Sequence, residues 1–191
     1  MSELVRSFVA VSISDGARRQ IAELLAGLRR ETGVVRWVKP ESLHLTLAFL
    51  GEVPPDFLES TKPLLTSVAA GHKPFAMRLN GVGVFPSPSR ARTVWIGMDH
   101  GKSEVCALQR DVVKALCAVG YQPEKRPFSP HLTIGRMRIP DDLSRAVASP
   151  FESESFPVSR LVLFRSVLSP AGPTYSVLTE FPLSSGPGQL A

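Results

Sequence analysis

No run of apolar residues in this chain of 191 approaches the ~18 that a membrane-spanning helix needs. The opening residues, Met1-Ser-Glu-Leu-Val-Arg-Ser-Phe8, lack the charged and apolar regions of a signal peptide, so the expected compartment is the cytoplasm. Cysteine is scarce: Cys106 and Cys117 are the only two, with no CxxC spacing and no neighbouring His pair to build a zinc site. Both lie in Ser103 to Val119, where Val105, Leu108, Val112, Leu116 and Val119 recur at helical spacing. Eleven residues of helix span roughly 16 Å, too far for a disulfide, so two buried thiols are expected. Lysine is also sparse, at 6 of the 22 cations, the other 16 being arginine. Guanidinium groups suit bidentate phosphate contacts, although a biased composition accounts for the same count. The 43% hydrophobic and 20% charged content excludes wholesale disorder, and the net charge is +5.

The length fits one domain, or one unit with two lobes. Arg6 to Ile13 reads as a strand. Ser14 and Asp15 offer an N-cap for a helix carrying Ile21, Leu24, Leu25 and Leu28 on one face. Trp37-Val-Lys-Pro40 leads to a strand over Leu43–Leu50, and Pro54-Pro55 opens a helix that Pro63 is expected to break or kink. Strands follow at Phe75–Leu79 and Arg92–Met98, then the cysteine-bearing helix ending at Gly120. A strand over His131–Met137, a short helix near Asp141–Val147 and strands around Arg160–Leu168 and Thr174–Leu183 complete the order. No Gly/Ser-rich linker divides this series. The expected fold is α+β and bilobal, a single unit over residues 1–183, with 184–191 as a flexible tail.

One pattern occurs twice. His44-Leu-Thr-Leu47 and His131-Leu-Thr-Ile134 share the form His-apolar-Thr-apolar. A Thr two places after a given His has about a 4% chance here, so two cases among four histidines come to roughly 1%. On a strand, residues two apart share a face, so each copy presents one imidazole and one hydroxyl while the apolar pair faces the core. Imidazole serves as acid and base in one cycle near neutrality. Threonine donates hydrogen bonds without adding a charge that repels phosphate. Two such pairs across a groove suit displacement at phosphorus, with one His deprotonating the nucleophile and the other protonating the leaving oxygen. A metal site is the rival chemistry, but neither tetrapeptide brings a carboxylate of its own; Glu41 is the nearest before His44. No metal and no cofactor is therefore expected. His72 and His100 lie in polar, Gly-flanked stretches and read as surface residues.

Paired His-x-Thr-x tetrapeptides mark the 2H phosphoesterases, and the chain resembles their LigT-like RNA 2′,3′-cyclic phosphodiesterases, also called 2′-5′ RNA ligases. The resemblance runs through Arg6-Ser-Phe-Val-Ala-Val11, Trp37-Val-Lys-Pro40, His44 to Gly51, Trp95-Ile-Gly97, Phe128 to Arg136, and Leu163 to Leu168 with the Tyr175 strand. It implies two antiparallel-rich sheets flanked by helices around a central cleft, each lobe giving one tetrapeptide. It also implies metal-independent hydrolysis of a 2′,3′-cyclic phosphate RNA end to a 2′-phosphate. On that likeness His44 is the proton donor, His131 the proton acceptor, and Thr46 and Thr133 bind the phosphate. The implied partner is RNA or an oligonucleotide with a cyclic phosphate end, with no membrane and no obligate protein partner. Cleavage or ligation of 2′-5′ linkages, and RNA or nucleotide binding without catalysis, are the alternatives.

Three further residues are candidates for contacting substrate. Arg136 stands five after His131, of opposite parity on an ideal strand, so it reaches the cleft only if the chain bends or bulges at Gly135. Phe8 offers either a ring for base stacking or a core side chain. Arg126, before Pro127, lines the entrance or lies on a solvated loop.

Overall fold

The β-branched and aromatic run after Leu4 forms the first strand, β1 (Val5–Ser12). The Ser14 hydroxyl then accepts from the Ala17 N–H and caps α1 (Asp15–Glu31), whose Ala17, Ile21, Leu25 and Leu28 are buried. This computed structural model describes residues 3–33, 35–170 and 172–184, apart from the Glu31 and Arg145 side chains. The chain continues through β2 (Arg36–Trp37), a 3₁₀ turn at Pro40–Ser42, β3 (His44–Val53) and α2 (Pro55–Ala70). Next come β4 (Phe75–Phe85), β5 (Ala91–His100) and α3 (Lys102–Cys117). It ends with β6 (Leu132–Asp141), α4 (Ser144–Val147), β7 (Phe156–Val158), β8 (Arg160–Ser169) and β9 (Gly172–Pro182).

Two sheets result, in the orders β3-β1-β8-β9 and β2-β6-β5-β4-β7, with every neighbouring pair antiparallel. The expected α+β architecture of two antiparallel sheets is the observed one. A single apolar cluster runs through both sheets and the helices, from Val9 and Leu45 to Leu132, Ile134 and Leu163. β3 of one sheet and β6 of the other lie against each other, which brings the two His-x-Thr-x strands together.

Several details depart from the sequence expectations. α2 runs unbroken past Pro63, because that residue faces solvent, where water can satisfy the carbonyl it leaves without a donor. Cys106 is only partly buried and Cys117 is exposed. Each stands one residue past a core position, since Val105, Leu108, Val112 and Leu116 fill the buried stripe of α3. β2 and β7, of two and three residues, were not anticipated. The 184–191 tail lies outside the described residues except Ser184, whose N–H donates to the Ala69 carbonyl at 3.2 Å.

Candidate active site

Both tetrapeptides are built alike. Leu45 and Leu47 of β3 are buried while His44 and Thr46 open on the other face. Leu132 and Ile134 of β6 are buried while Thr133 opens, with His131 just ahead of the strand. The pairing registers then break at the same place. Ala10 pairs with Thr46 and Val9 with Ala48, so Leu47 is bulged. Trp95 pairs with Thr133 and Val94 with Gly135, so Ile134 is bulged. A one-residue bulge turns the following side chains to the opposite face. Arg136 and Arg138 thereby join Thr133 on the open face, while Gly135 and Met137 turn inward. The bend that Arg136 required is present, one residue earlier than Gly135. Phe49 is turned in the same way, and its strand partner Phe8 confirms that it shares a face with His44.

Each imidazole is fixed by the carbonyl two residues before it. His44 Nδ1 lies 2.8 Å from Ser42 O, and His131 Nδ1 lies 2.7 Å from Ser129 O. A carbonyl only accepts, so Nδ1 carries the proton in both rings, and Nε2 of the neutral ring is left with a free lone pair.

Their surroundings differ. His44 stacks on Phe8 (centroids 4.5 Å apart, 24° between planes) and meets the edge of Tyr175 at 5.0 Å. Phe164 stands behind Phe8 at 5.1 Å. Burial in this aromatic nest lowers the His44 pKa to about 4; the Ser42 carbonyl opposes the shift and the Arg18 charge adds to it. His131 sits at the edge of Phe85, 5.3 Å away, and near Trp95, whose ring lies over Gly83 so closely that a Cβ there would stand 2.2 Å from it.

Phe8 is thus not an open platform for a base. It is 3% exposed, its ring enclosed by His44, Phe164 and Tyr175, and it supports the imidazole. Arg126 is exposed on the loop between α3 and β6, and no hydrogen bond or ion pair among the described residues ties it to either histidine. His72 pairs with Asp111, and His100 is exposed at the end of β5. Burial raises the Tyr175 pKa, against the charges of Arg136 and Arg6; the phenol beside His44 therefore feels cations from both sheets. Arg36 pairs across the ladder with Arg136 and shares its face. Tyr175, Phe164 and Phe49 were not singled out from the sequence. The repeat itself held the signal for Phe49, which stands five after His44 as Arg136 stands five after His131. An open depression of about 460 Å³ around Asn80, Phe151 and Glu152 contains none of these residues.

Comparison with known proteins agrees with this duplicated arrangement. Residues 11–95 and 96–175 match the family model described as LigT like Phosphoesterase. The chain is 35% identical over 184 residues to the RNA 2′,3′-cyclic phosphodiesterase of Methanothermobacter thermautotrophicus, covering 94% of this chain and 99% of that one. It is 36% identical over 180 residues to the protein of that name from Archaeoglobus fulgidus, covering 93% and 99%. Among solved structures, TT0787 of Thermus thermophilus superposes with a TM-score of 0.80 at 31% identity, covering 94% of this chain and 98% of that one. LigT of E. coli complexed with 3′-AMP gives 0.74 at 25% identity, covering 96% and 100%.

Proposed function

Because the chain belongs to the LigT like Phosphoesterase family, we propose that it hydrolyses the 2′,3′-cyclic phosphate at an RNA end to a 2′-phosphate. The observation that carries this is the pair of imidazoles, each with Nδ1 bound to a serine carbonyl and each beside a threonine, on strands that touch. His131 Nε2 takes a proton from water as the water oxygen bonds to phosphorus. The bond from phosphorus to the 3′ oxygen breaks, and His44 Nε2 delivers a proton to that oxygen. Thr46 and Thr133 donate to the non-bridging oxygens, where charge builds up. With its pKa lowered to about 4, His44 is neutral in the free protein at pH 7, so it takes up its proton as the anionic substrate docks beside it. Arg136, on the open face beyond Thr133, contacts the phosphate or base. Arg126, exposed on the loop before β6, is the candidate for the entrance.

The likenesses to proteins named for this activity support the substrate class. A cytoplasmic setting, an RNA partner and one bilobal unit belong to the same proposal. Separately, no helix among the described residues is long and apolar enough to cross a membrane. No three His, Cys, Asp or Glu side chains gather as metal ligands among the described residues. Independence from metal is tested directly, by incubating the protein with EDTA and an oligonucleotide ending in a 2′,3′-cyclic phosphate. A 2′-phosphate end is expected; intact substrate, or a 3′-phosphate product, overturns the reading. His44→Ala and His131→Ala should each cost about 10²–10⁴-fold in turnover. An activated aryl phosphodiester needs no proton on its leaving group, so it should restore the His44 variant and not the His131 variant.

A further inference from the structure

The carbonyl that fixes His44 belongs to a turn, and a side chain from another element holds that turn. Ser42, whose O lies 2.8 Å from His44 Nδ1, ends the 3₁₀ turn Pro40–Ser42. So short a 3₁₀ turn has poor hydrogen-bond geometry of its own. Here Ser42 N–H donates to Lys39 O at 2.9 Å and Leu43 N–H to Pro40 O at 3.2 Å. Arg18, in the first turn of α1, adds an outside tie: its Nη1 donates to Pro40 O at 2.7 Å, across 22 residues of sequence. A bond from a charged donor at that distance is one of the stronger kind. The other neighbour of the guanidinium is weak by comparison, since Asp15 is 3.7 Å from Nε and 90% exposed to screening water. The Arg18 charge also acts on the His44 imidazole itself. His131 is held differently, by Ser129 O on an exposed loop.

We propose that Arg18 is a positioning residue for His44: it locks the Pro40–Ser42 turn, so that the Ser42 carbonyl holds the imidazole with Nε2 aimed at the leaving oxygen. The segment entering the first His-x-Thr-x strand is then gripped from two sides. Val38 N–H donates to Ile134 O of β6 at 2.9 Å, and Arg18 ties the turn to α1. Releasing Arg18 frees the turn and leaves Leu45 and Leu47 in the core, so the loss falls on the aim of the imidazole. A misplacement of about 1 Å is enough to cost on the order of 10²-fold in rate. The ionisable groups on the elements around His44 are Arg18 of α1, Arg6 of β1, Tyr175 of β9, and His131 and Arg136 at β6. The Arg18 charge opposes protonation of His44, whereas those of Arg6 and Arg136 are felt at Tyr175. Loss of the Arg18 charge alone makes His44 easier to protonate in the free protein. A fall in rate therefore reports the tie and not the charge.

The inference rests on the reading of His44 as the proton donor, and the test separates the two. kcat/KM is measured for the native protein and Arg18→Met on an oligonucleotide ending in a 2′,3′-cyclic phosphate and on an activated aryl phosphodiester. Methionine removes the charge and the donors and suits a helix. Arg18→Met should lose roughly 10- to 100-fold on the cyclic phosphate and stay close to native on the aryl ester, whose leaving group needs no proton. Equal loss on both substrates, or no loss on the cyclic phosphate, overturns the proposal while leaving the hydrolase reading intact. If the native protein leaves the cyclic phosphate uncleaved, the hydrolase reading fails; whenever either substrate stays uncleaved, ¹⁵N NMR of the free proteins decides the role of Arg18. The signature of a hydrogen-bonded Nδ1–H should weaken at His44 in Arg18→Met while the His131 resonances stay in place. Unchanged His44 resonances overturn the proposal. Should Arg18→Met fail to fold, Arg18→Gln is read in the same way.

Discussion

His44 sits in a nest of aromatic rings that favours its uncharged form, and under the proposed function it must still exchange a proton with substrate. Burial lowers its pKa from 6.5 to about 4, and that shift couples the residue to stability. Between pH 6.5 and 4 the unfolded chain binds a proton at this imidazole and the folded protein does not, so acid favours unfolding. The contribution of His44 is fully present above about pH 6.5 and is lost as the pH falls through about 4. Two and a half pKa units correspond to a contribution on the order of 3 kcal/mol. Urea unfolding of the native protein and His44→Gln at pH 7 and pH 4.5 measures it. The native protein should lose about 2–3 kcal/mol more than the variant over that interval; an equal loss would show that the imidazole titrates alike in both states. The histidines and threonines were legible in the sequence because a strand places i and i+2 on one face, and both copies obey that period. The nest around His44 was not. Phe8 reads equally well as platform or core, and only the three-dimensional approach of β8 and β9, bringing Phe164 and Tyr175, decides for core.

The strands were read in nearly the right order, but a bulge leaves no mark on periodicity beyond a break in alternation. Leu47-Ala48 and Ile134-Gly135 are those breaks, and each re-aims the residue after it. The short strand β2 was equally hidden, since two residues cannot show a period. It explains why the second repeat has glycine where the first has alanine. β3 is a sheet edge, whereas β6 has β2 beside it. A Cβ on Gly135 would stand 2.6 Å from Val35 Cγ1 and 2.9 Å from the Trp37 ring. Gly135→Ala should therefore push β2 away from β6 and cost about 1–3 kcal/mol, the usual range for overpacking. Thermal unfolding checks the size, and Trp37 fluorescence checks the cause. In contrast, Ala48→Gly removes one small buried side chain from an edge strand and should leave Trp37 fluorescence unchanged. A Gly135→Ala protein with native stability and fluorescence would mean that β2 yields at no cost.

At the scale of the whole chain, the two sheets do not correspond to two halves of the sequence. The His44 sheet takes β1 and β3 from residues before 101 and β8 and β9 from after it. The His131 sheet takes β2, β4 and β5 from residues before 101 and β6 and β7 from after it. The absence of a linker led to the expectation of one unit; the exchange of strands depends on long-range pairing, which no local pattern encodes. Its consequence is energetic. β1 is held on both sides, by β3 and by β8, so opening either lobe strips partners from strands of the other, and the apolar cluster is continuous through both. Native-state amide exchange in low urea reads this strand by strand. The slowest amides of β1 and β8 and those of β5 and β6 should open with one free energy, equal to that of global unfolding by urea. If the β1–β8 amides open at a free energy well below that of the β5–β6 amides, the lobes are separable units, and the His-x-Thr-x strands β3 and β6 are held to each other by their mutual contact alone. With a single free energy, the alignment of His44 and His131 is as stable as the fold itself, which is what the proposed division of base and acid between two sheets requires.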